Sequence, residues 1–287
     1  MKFLKTTKIF SFLLIGLIVV AASAVYGQNV NSGAPKYPFP HHVSYPHGTM
    51  LNPALTNSGS QAGLDSAVSQ MYNSWYANFV TPAGANLRVQ RDATNGHDTV
   101  SEGIGYGMLF AVQMADQTLF NGLYQYAKSY FDGHGLMNWT CPGGSGCNSN
   151  SATDADEDMC MALLMADAQW GSAGAINYKG EFQNMANNIY NYEIGATDFR
   201  VYSGDAYQYP YYSSYMEGAW YHCWASKDGV SSHNWNGVAN WSYNNYFASL
   251  YAVNGLGFMP DTANPNGVNA TQNTMSMGYD ASRYPIR

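Results

Sequence analysis

Glu102 is the carboxylic acid with the most unusual neighbours in the sequence. It lies in SEGIGYGMLFAV, residues 101–112, where three glycines alternate with other residues directly after it. Ser101 predicts a helix N-cap, which puts Glu102 in the first turn, where its charge also complements the helix dipole. Glycine in a helix costs roughly 0.5–1 kcal/mol relative to alanine. We therefore expect these glycines to make room for a ligand or for a neighbouring backbone.

A second acidic stretch is ATDADEDMCMALLMADAQW, which has aspartates at alternate positions: Asp154, Asp156 and Asp158. It is not a calcium loop, because Met159 and Met165 stand where such a loop needs glycine and glutamate. We expect Thr153 to cap a helix, with Asp156 as its partner in a capping box. That arrangement leaves Asp154 at the helix start, where it can point into a cleft.

The third stretch, MGYDASRYPIR, ends the chain and contains Asp280 and Arg283 three positions apart. At that spacing the guanidinium can orient the carboxylate and stabilise its charge. A surface ion pair would give the same pattern, so this stretch alone does not indicate catalysis.

The elements that position these acids are predicted to be helices. Apolar residues recur at helical spacing over segments of one helix length: 62–79, 104–116, 119–131, 156–170, 181–192, 212–225 and 241–253. Long loops rich in Gly, Asn, Ser and Asp separate some of them, at 133–151, 195–210 and 255–278. The sequence predicts an all-α toroid or bundle whose loops carry the function.

The first 27 residues predict a secretory signal peptide. Three lysines precede an apolar run that is short for a membrane span, and small residues follow it. Residues 28–60 predict an irregular N-terminal arm, and residues 61–287 a single catalytic domain. We expect a secreted or periplasmic protein that is not bound to a membrane after signal cleavage.

Composition limits the partners of the chain. The net charge of −7 disfavours nucleic acid, because an acidic surface repels phosphates. Four cysteines in an exported chain suggest disulfides. Cys141 and Cys147 bracket a glycine-rich loop and would close it, although three connectivities stay open. We expect no metal and no cofactor, since the cysteines lack zinc-site spacing.

Four stretches, in their order and separation, resemble glycoside hydrolases of family 8: SEGIGYGMLFAV, GLMNW, ATDADEDMCMALLMADAQW and YDASRYPIR. The resemblance covers residues 37–287, with Cys160 standing where alanine is usual. It implies an (α/α)6 barrel whose inner helices direct their N-termini at one substrate cleft. It also implies cleavage of a β-1,4-linked polysaccharide with inversion.

The resemblance implies roles for individual residues. Glu102 resembles the general acid and Asp280 the general base of the cellulase-like subgroup. Asp154 resembles the residue that binds and distorts the central sugar. Further residues resemble substrate-binding positions: Arg283, Tyr106, Trp139 and Trp220. We expect Arg283 to keep Asp280 ionised, and the glycines beside Glu102 to make room for a sugar ring.

These features predict a secreted endo-β-1,4-glucanase, expected as a monomer, that acts on cellulose or mixed-linkage glucan. The alternatives are a chitosanase or endo-xylanase on the same scaffold, or a polysaccharide-binding fragment with impaired catalysis. Two departures from the family pattern stand out: Ile286 replaces a usual tryptophan, and the sequence stops at Arg287. We therefore expect a barrel that is incomplete at its C-terminus and a chain that by itself is poorly active.

Overall fold

A computed structural model describes residues 61–254, 259–266, 269–272 and 277–286. The predicted signal peptide and N-terminal arm lie outside these residues. The helices are α1 (Gln61–Phe79), α2 (Ser101–Gln113), α3 (Gln117–Ser129), α4 (Thr153–Trp170), α5 (Tyr178–Tyr192), α6 (Gly218–Trp224), α7 (Trp235–Asn240) and α8 (Ala248–Asn254). A π-helix, Trp241–Phe247, joins α7 to α8. In the ranges just given, no helix has the length and apolar character to cross a bilayer.

Short antiparallel strands connect the helices and brace the loops. They are β1 (Val80–Ala83), β2 (Asn86–Val89), β3 (Thr99–Val100), β4 (Thr140–Cys141), β5 (Tyr211–Tyr212), β6 (Thr262–Asn266) and β7 (Asn269–Gln272). β1 pairs with β2, β3 with β4, and β6 lies between β5 and β7. The frame is thus helical, and the strands hold the segments that lead into it.

Most predicted helices are confirmed with shifted ends, but the segment 212–225 is not one helix. Its first residue, Tyr212, belongs to β5, which pairs with β6. Ser213–Tyr215 then form one turn of 3-10 helix. The α-helix begins only at Gly218. The apolar periodicity of this segment reflects burial in a strand and a turn as well as in a helix.

Both predicted N-caps are wrong by one residue. Val100 is the N-cap of α2 and has extended backbone, so Ser101 is already helical. The backbone N–H of Ser101 donates to the carbonyl of Trp139 at 2.9 Å. This contact from the β3–β4 pair satisfies a helix-end donor that a capping side chain would otherwise serve.

The predicted capping box at the start of α4 is also wrong. Ala152 is the N-cap, with no side-chain cap bond. Oδ1 of Asp156 instead accepts the backbone N–H of Met137 at 3.0 Å. Asp156 therefore ties the loop before α4 to the helix, a role that local spacing cannot reveal.

The glycines of α2 serve helix packing, which corrects the expectation that they make room for a sugar. A Cβ atom on Gly105 would lie 2.7 Å from Cβ of Asp158 in α4, and one on Gly107 would lie 2.7 Å from Cδ1 of Leu123 in α3. Both distances are too short for a real contact. These two glycines let α2 pack closely against α4 and α3.

The interior is mainly apolar and aromatic, and the start of α4 holds the densest group of buried acidic residues among those described. The largest fully buried side chains include Trp224, Trp235 and Tyr221. Residues 151–160 are all buried, although four of them are acidic. The Cys141–Cys147 disulfide is present, which confirms that pairing, while Cys160 and Cys223 are free thiols.

Candidate active site

One cleft brings together two of the three acids that the sequence analysis singled out. It has a volume of about 460 Å³, and both Glu102 and Asp280 line it. Glu102 projects from the first turn of α2. Asp280 lies in a turn just before the 3-10 helix Ala281–Ile286. Two carboxyl groups that are 178 positions apart in the sequence therefore face the same space.

Arg283 joins two of the predicted site residues. Its Nη1 lies 2.7 Å from Oδ2 of Asp154, and its Nη2 lies 2.8 Å from Oδ1 of Asp280. Asp154 is 0% exposed and Arg283 is 12% exposed at the side chain. Burial lowers the pKa of Arg283, but the charge of Asp154 and a hydrogen bond with Tyr106 outweigh it and raise that pKa. The guanidinium is thus a permanent cation between two carboxylates.

The pKa of Asp280 is raised, whereas the sequence suggested that Arg283 would keep it low. Burial is the largest cause; Arg283 opposes it, and the charges of Asp261 and Asp154 add to the increase. A higher pKa makes the ionised carboxylate a stronger base, which suits the abstraction of a proton from water.

The predicted sugar-binding residues differ in whether they line the cleft. Trp139 is 40% exposed and lines the cleft. Tyr106 interacts with Arg283. Trp220 is half-buried on α6, packs against the core, and is not among the residues that line the cleft. Asp154 lies behind Arg283 and does not border the cleft.

The structure adds aromatic lining that the sequence analysis did not identify. Tyr207, Tyr209, Tyr212 and Tyr215 line the cleft. The rings of Tyr212 and Tyr215 are stacked with centroids 4.7 Å apart. Flat rings of this kind pack well against sugar faces. The density of tyrosine in YQYPYYSSY, residues 207–215, was the available signal.

A family model for glycosyl hydrolases family 8 matches residues 39–287, nearly all of the chain. This chain belongs to glycosyl hydrolase family 8. The (α/α)6 barrel is the family fold, and the described helices form part of it without closing a ring.

Several relatives of this family 8 chain are named endoglucanases, and others are named exo-oligoxylanases. The chain is 36% identical to Endoglucanase A of Acetivibrio thermocellus over 86% of its own length and 52% of that protein. It is 35% identical to Endoglucanase 2 of Ruminiclostridium josui over 96% of its length and 60% of that protein. The chain therefore spans somewhat more than half the length of these relatives.

A solved structure supports the same fold. The β-1,3-1,4-glucanase from Paenibacillus sp. X4 matches with a TM-score of 0.76 and 29% identity, over 88% of this chain and 72% of that one. The family 8 frame is thus present in the described helices, and the cleft lies within it.

Behind the cleft of this family 8 chain, a buried network braces the wall. The backbone N–H of Ser151 donates to Oδ1 of Asp205 at 3.0 Å, and the N–H of Asp205 donates to Oγ of Ser151 at 3.1 Å. Oγ of Ser151 donates in turn to Oε1 of Glu193 at 2.6 Å. Nδ1 of His134 lies 2.6 Å from Oδ2 of Asp205. These bonds tie the segment before α4 to the loop that carries Tyr207 and Tyr209.

The network also contains the residues most compatible with a metal ion. In the described ranges, Asp132, His134 and Asp205 offer ligand atoms that lie within 4.8 Å of one another. Burial is the largest cause of the raised pKa of Asp132, and hydrogen bonds, chiefly from Ser151, lower the pKa of Asp205 against the effect of its own burial. We assign no ion to this cluster.

The buried carboxyl of Glu193 predicts a loss of stability as the pH rises. Burial, opposed by the hydrogen bond from Ser151 and reinforced by the charge of Asp205, raises its pKa to about 8. Between about pH 4.5 and pH 8 the unfolded chain releases this proton while the folded chain keeps it. The free energy of unfolding should therefore fall across that window, by at most about 1.4 kcal/mol per pH unit from this group.

Urea denaturation of the wild type and of Glu193→Gln at pH 5, 6.5 and 8 measures this effect. The variant cannot ionise, so its stability should decline less between pH 5 and pH 8. Glu181→Gln, at a half-exposed pair with Lys128, is the matched control and should follow the wild type. Parallel curves for the wild type and Glu193→Gln would contradict the prediction.

Proposed function

We propose that this chain is an endo-acting glycoside hydrolase that cleaves β-1,4-glucan with inversion at the anomeric carbon. The observation that carries the proposal is the shared cleft, which Glu102 and Asp280 both line and beside which one guanidinium binds both Asp280 and Asp154. The endoglucanase and β-glucanase names of the relatives favour glucan as the polymer.

In this mechanism two carboxyl groups act on opposite faces of one sugar ring. Glu102 donates its proton to the glycosidic oxygen as the bond to the anomeric carbon breaks. Asp280 accepts a proton from the water that attacks that carbon from the other face. Inverting hydrolases need such a pair roughly 6.5–9.5 Å apart, so that the water fits between base and sugar.

Arg283 and Asp154 support the base in this proposal. Asp154 holds Nη1 of Arg283, which leaves Nη2 directed at Asp280. The carboxylate is thereby fixed in one orientation while it stays ionised. Contact of Asp154 with the central sugar stays a prediction, as do sugar contacts of Tyr106 and Trp220.

The rest of the proposal concerns the protein around the site. We propose that residues 1–27 direct export and that residues 61–287 form the catalytic domain, which acts as a monomer on a soluble or swollen polysaccharide outside the cytoplasm. The basis is the pattern of lysines, apolar run and small residues at the N-terminus.

Release of reducing ends from four polymers tests this function. We expect carboxymethylcellulose or mixed-linkage β-glucan to be cut faster than xylan or chitosan, with a rapid fall in viscosity that indicates internal cleavage. Faster hydrolysis of chitosan or xylan would show that the preferred substrate is not a glucan. Binding of all four polymers without hydrolysis would contradict the proposal that the chain is a hydrolase. Rates are compared between substrates on one preparation.

A further inference from the structure

The turn that carries Asp280 is held by another carboxylate, that of Asp261. Oδ1 of Asp261 accepts the backbone N–H of Gly278 at 2.9 Å and that of Ala281 at 2.8 Å. One oxygen therefore binds the main chain on both sides of Asp280. Hydrogen bonds to an ionised acceptor are among the stronger ones in proteins.

A side chain at position 278 would force the carboxylate of Asp261 to move. A Cβ atom there would lie 2.2 Å from Oδ2 of Asp261 and 3.1 Å from its Cγ. The backbone of Gly278 is not in the left-handed region, so the constraint at this position comes from the carboxylate and not from the chain conformation.

Asp261 is itself fixed to the wall of the cleft. The carbonyl of the preceding Pro260 accepts the hydroxyl of Ser213 at 2.6 Å. The following Thr262 pairs with Tyr212, which lines the cleft. Both neighbours of Asp261 are thus bound to the segment that carries the tyrosine lining.

We propose that Asp261 is a positioning residue that holds the general base in register with the cleft wall. The inference rests on the proposed role of Asp280. It explains how a short turn, with few internal backbone bonds, can keep a carboxylate fixed against a substrate. It also adds a residue whose charge acts on the base in the direction opposite to Arg283.

The charge of Asp261 has a separate, measurable effect. Burial is the largest cause of the raised pKa of Asp280; Arg283 opposes it, and the charges of Asp261 and Asp154 add to it. Of the other titratable groups in the cleft, Glu102 lines the same space, and burial raises the pKa of Tyr212 above its usual value. Asp261→Asn keeps an oxygen acceptor but removes the charge. We expect a kcat within about threefold of the wild type and an acidic limb of kcat/KM displaced to lower pH.

Removal of the carboxylate tests its positioning role. Asp261→Ala should lower kcat by about ten- to a hundredfold, with KM changed less than about twofold, because small displacements of a catalytic group cost that much. Gly278→Ala should cause a similar loss by pushing the carboxylate away. In the double variant the losses should not multiply, since an alanine at 278 has nothing left to displace.

Controls separate this inference from the function on which it rests. Asp167→Ala removes a carboxylate at the far end of α4, about 20 Å along that helix from Asp154, and should keep wild-type kinetics. If Asp280→Asn stays active, the proposed function fails. The role of Asp261 is refuted if Asp280→Asn is inactive while the folded variants Asp261→Ala and Gly278→Ala keep the wild-type kcat. It is also refuted if Asp261→Asn leaves the acidic limb of kcat/KM at the wild-type pH.

Discussion

Replacing Glu102 with glutamine is expected to lower kcat on β-1,4-glucan by about a thousandfold and to leave oligosaccharide binding unchanged. Glutamine keeps the shape of the side chain and its place in the first turn of α2, but it has no acidic proton to give to the leaving oxygen. General acid catalysis typically contributes 10²–10⁴ in rate. Initial rates, together with calorimetric titration of a cellohexaose, measure the two parts of this prediction.

The leaving group distinguishes the loss of an acid from a general disturbance. An aryl cellobioside with a dinitrophenolate leaving group needs no proton, so Glu102→Gln should hydrolyse it at close to the wild-type rate. Glu181→Gln, at a half-exposed pair with Lys128 outside the cleft lining, is the matched control and should be fully active. An equal loss on both substrates, or weak binding of cellohexaose, would argue against Glu102 as the acid.

Replacing Arg283 with methionine is expected to have the largest effect on stability. The change leaves Asp154, which is 0% exposed, without its cation. Removing one partner of a buried ion pair typically costs about 3–5 kcal/mol, because the other charge stays buried and uncompensated. We expect the free energy of unfolding at pH 7 to fall by roughly 3 kcal/mol in chemical denaturation.

Arg283→Met should also move the pH dependence of kcat/KM, in the direction opposite to the shift expected for Asp261→Asn. Arg283 lowers the pKa of Asp280, so without it the base binds its proton at higher pH. The acidic limb of kcat/KM should therefore shift upward. Lys128→Met removes a cation from an exposed pair and should cost less than about 1 kcal/mol. Equal stability losses for the two variants would show that the Arg283 pair is energetically a surface pair.

The helices could be predicted from the sequence because helical periodicity is a local property. Segments such as 62–79 and 156–170 repeat apolar residues at the helical spacing, and both are helices in the structure. The Cys141–Cys147 pair could be suggested for the same reason, since both cysteines bracket one short loop. The segment 212–225 was misassigned because burial in a strand and a turn produced a similar apolar pattern.

Features that depend on partners distant in the sequence could not be predicted. Ser101 is not an N-cap because the carbonyl of Trp139 satisfies its N–H. Asp156 does not close a capping box because the N–H of Met137 takes its oxygen. The glycine at position 105 serves helix contact with Asp158, and no local pattern names that neighbour.

The residues of the site also differ in whether the local sequence could reveal them. The candidate acid and base were recognisable because each lies in a distinctive stretch that resembles a family motif. Asp261 was not, because it lies 19 positions before Asp280 in a loop without a motif, and only folding brings its carboxylate to Gly278 and Ala281. The direction of the Asp280 pKa was missed for a related reason, since burial and Asp261 together outweigh the adjacent arginine.

Proton NMR of the first product formed from a β-glucan oligosaccharide tests the central claim most directly. If Glu102 and Asp280 act as acid and base across one cleft, with water attacking opposite the bond that breaks, the new reducing end appears first as the α-anomer. Its β-anomer then grows only at the rate of mutarotation. Initial formation of the β-anomer would require a covalent intermediate and would contradict the account.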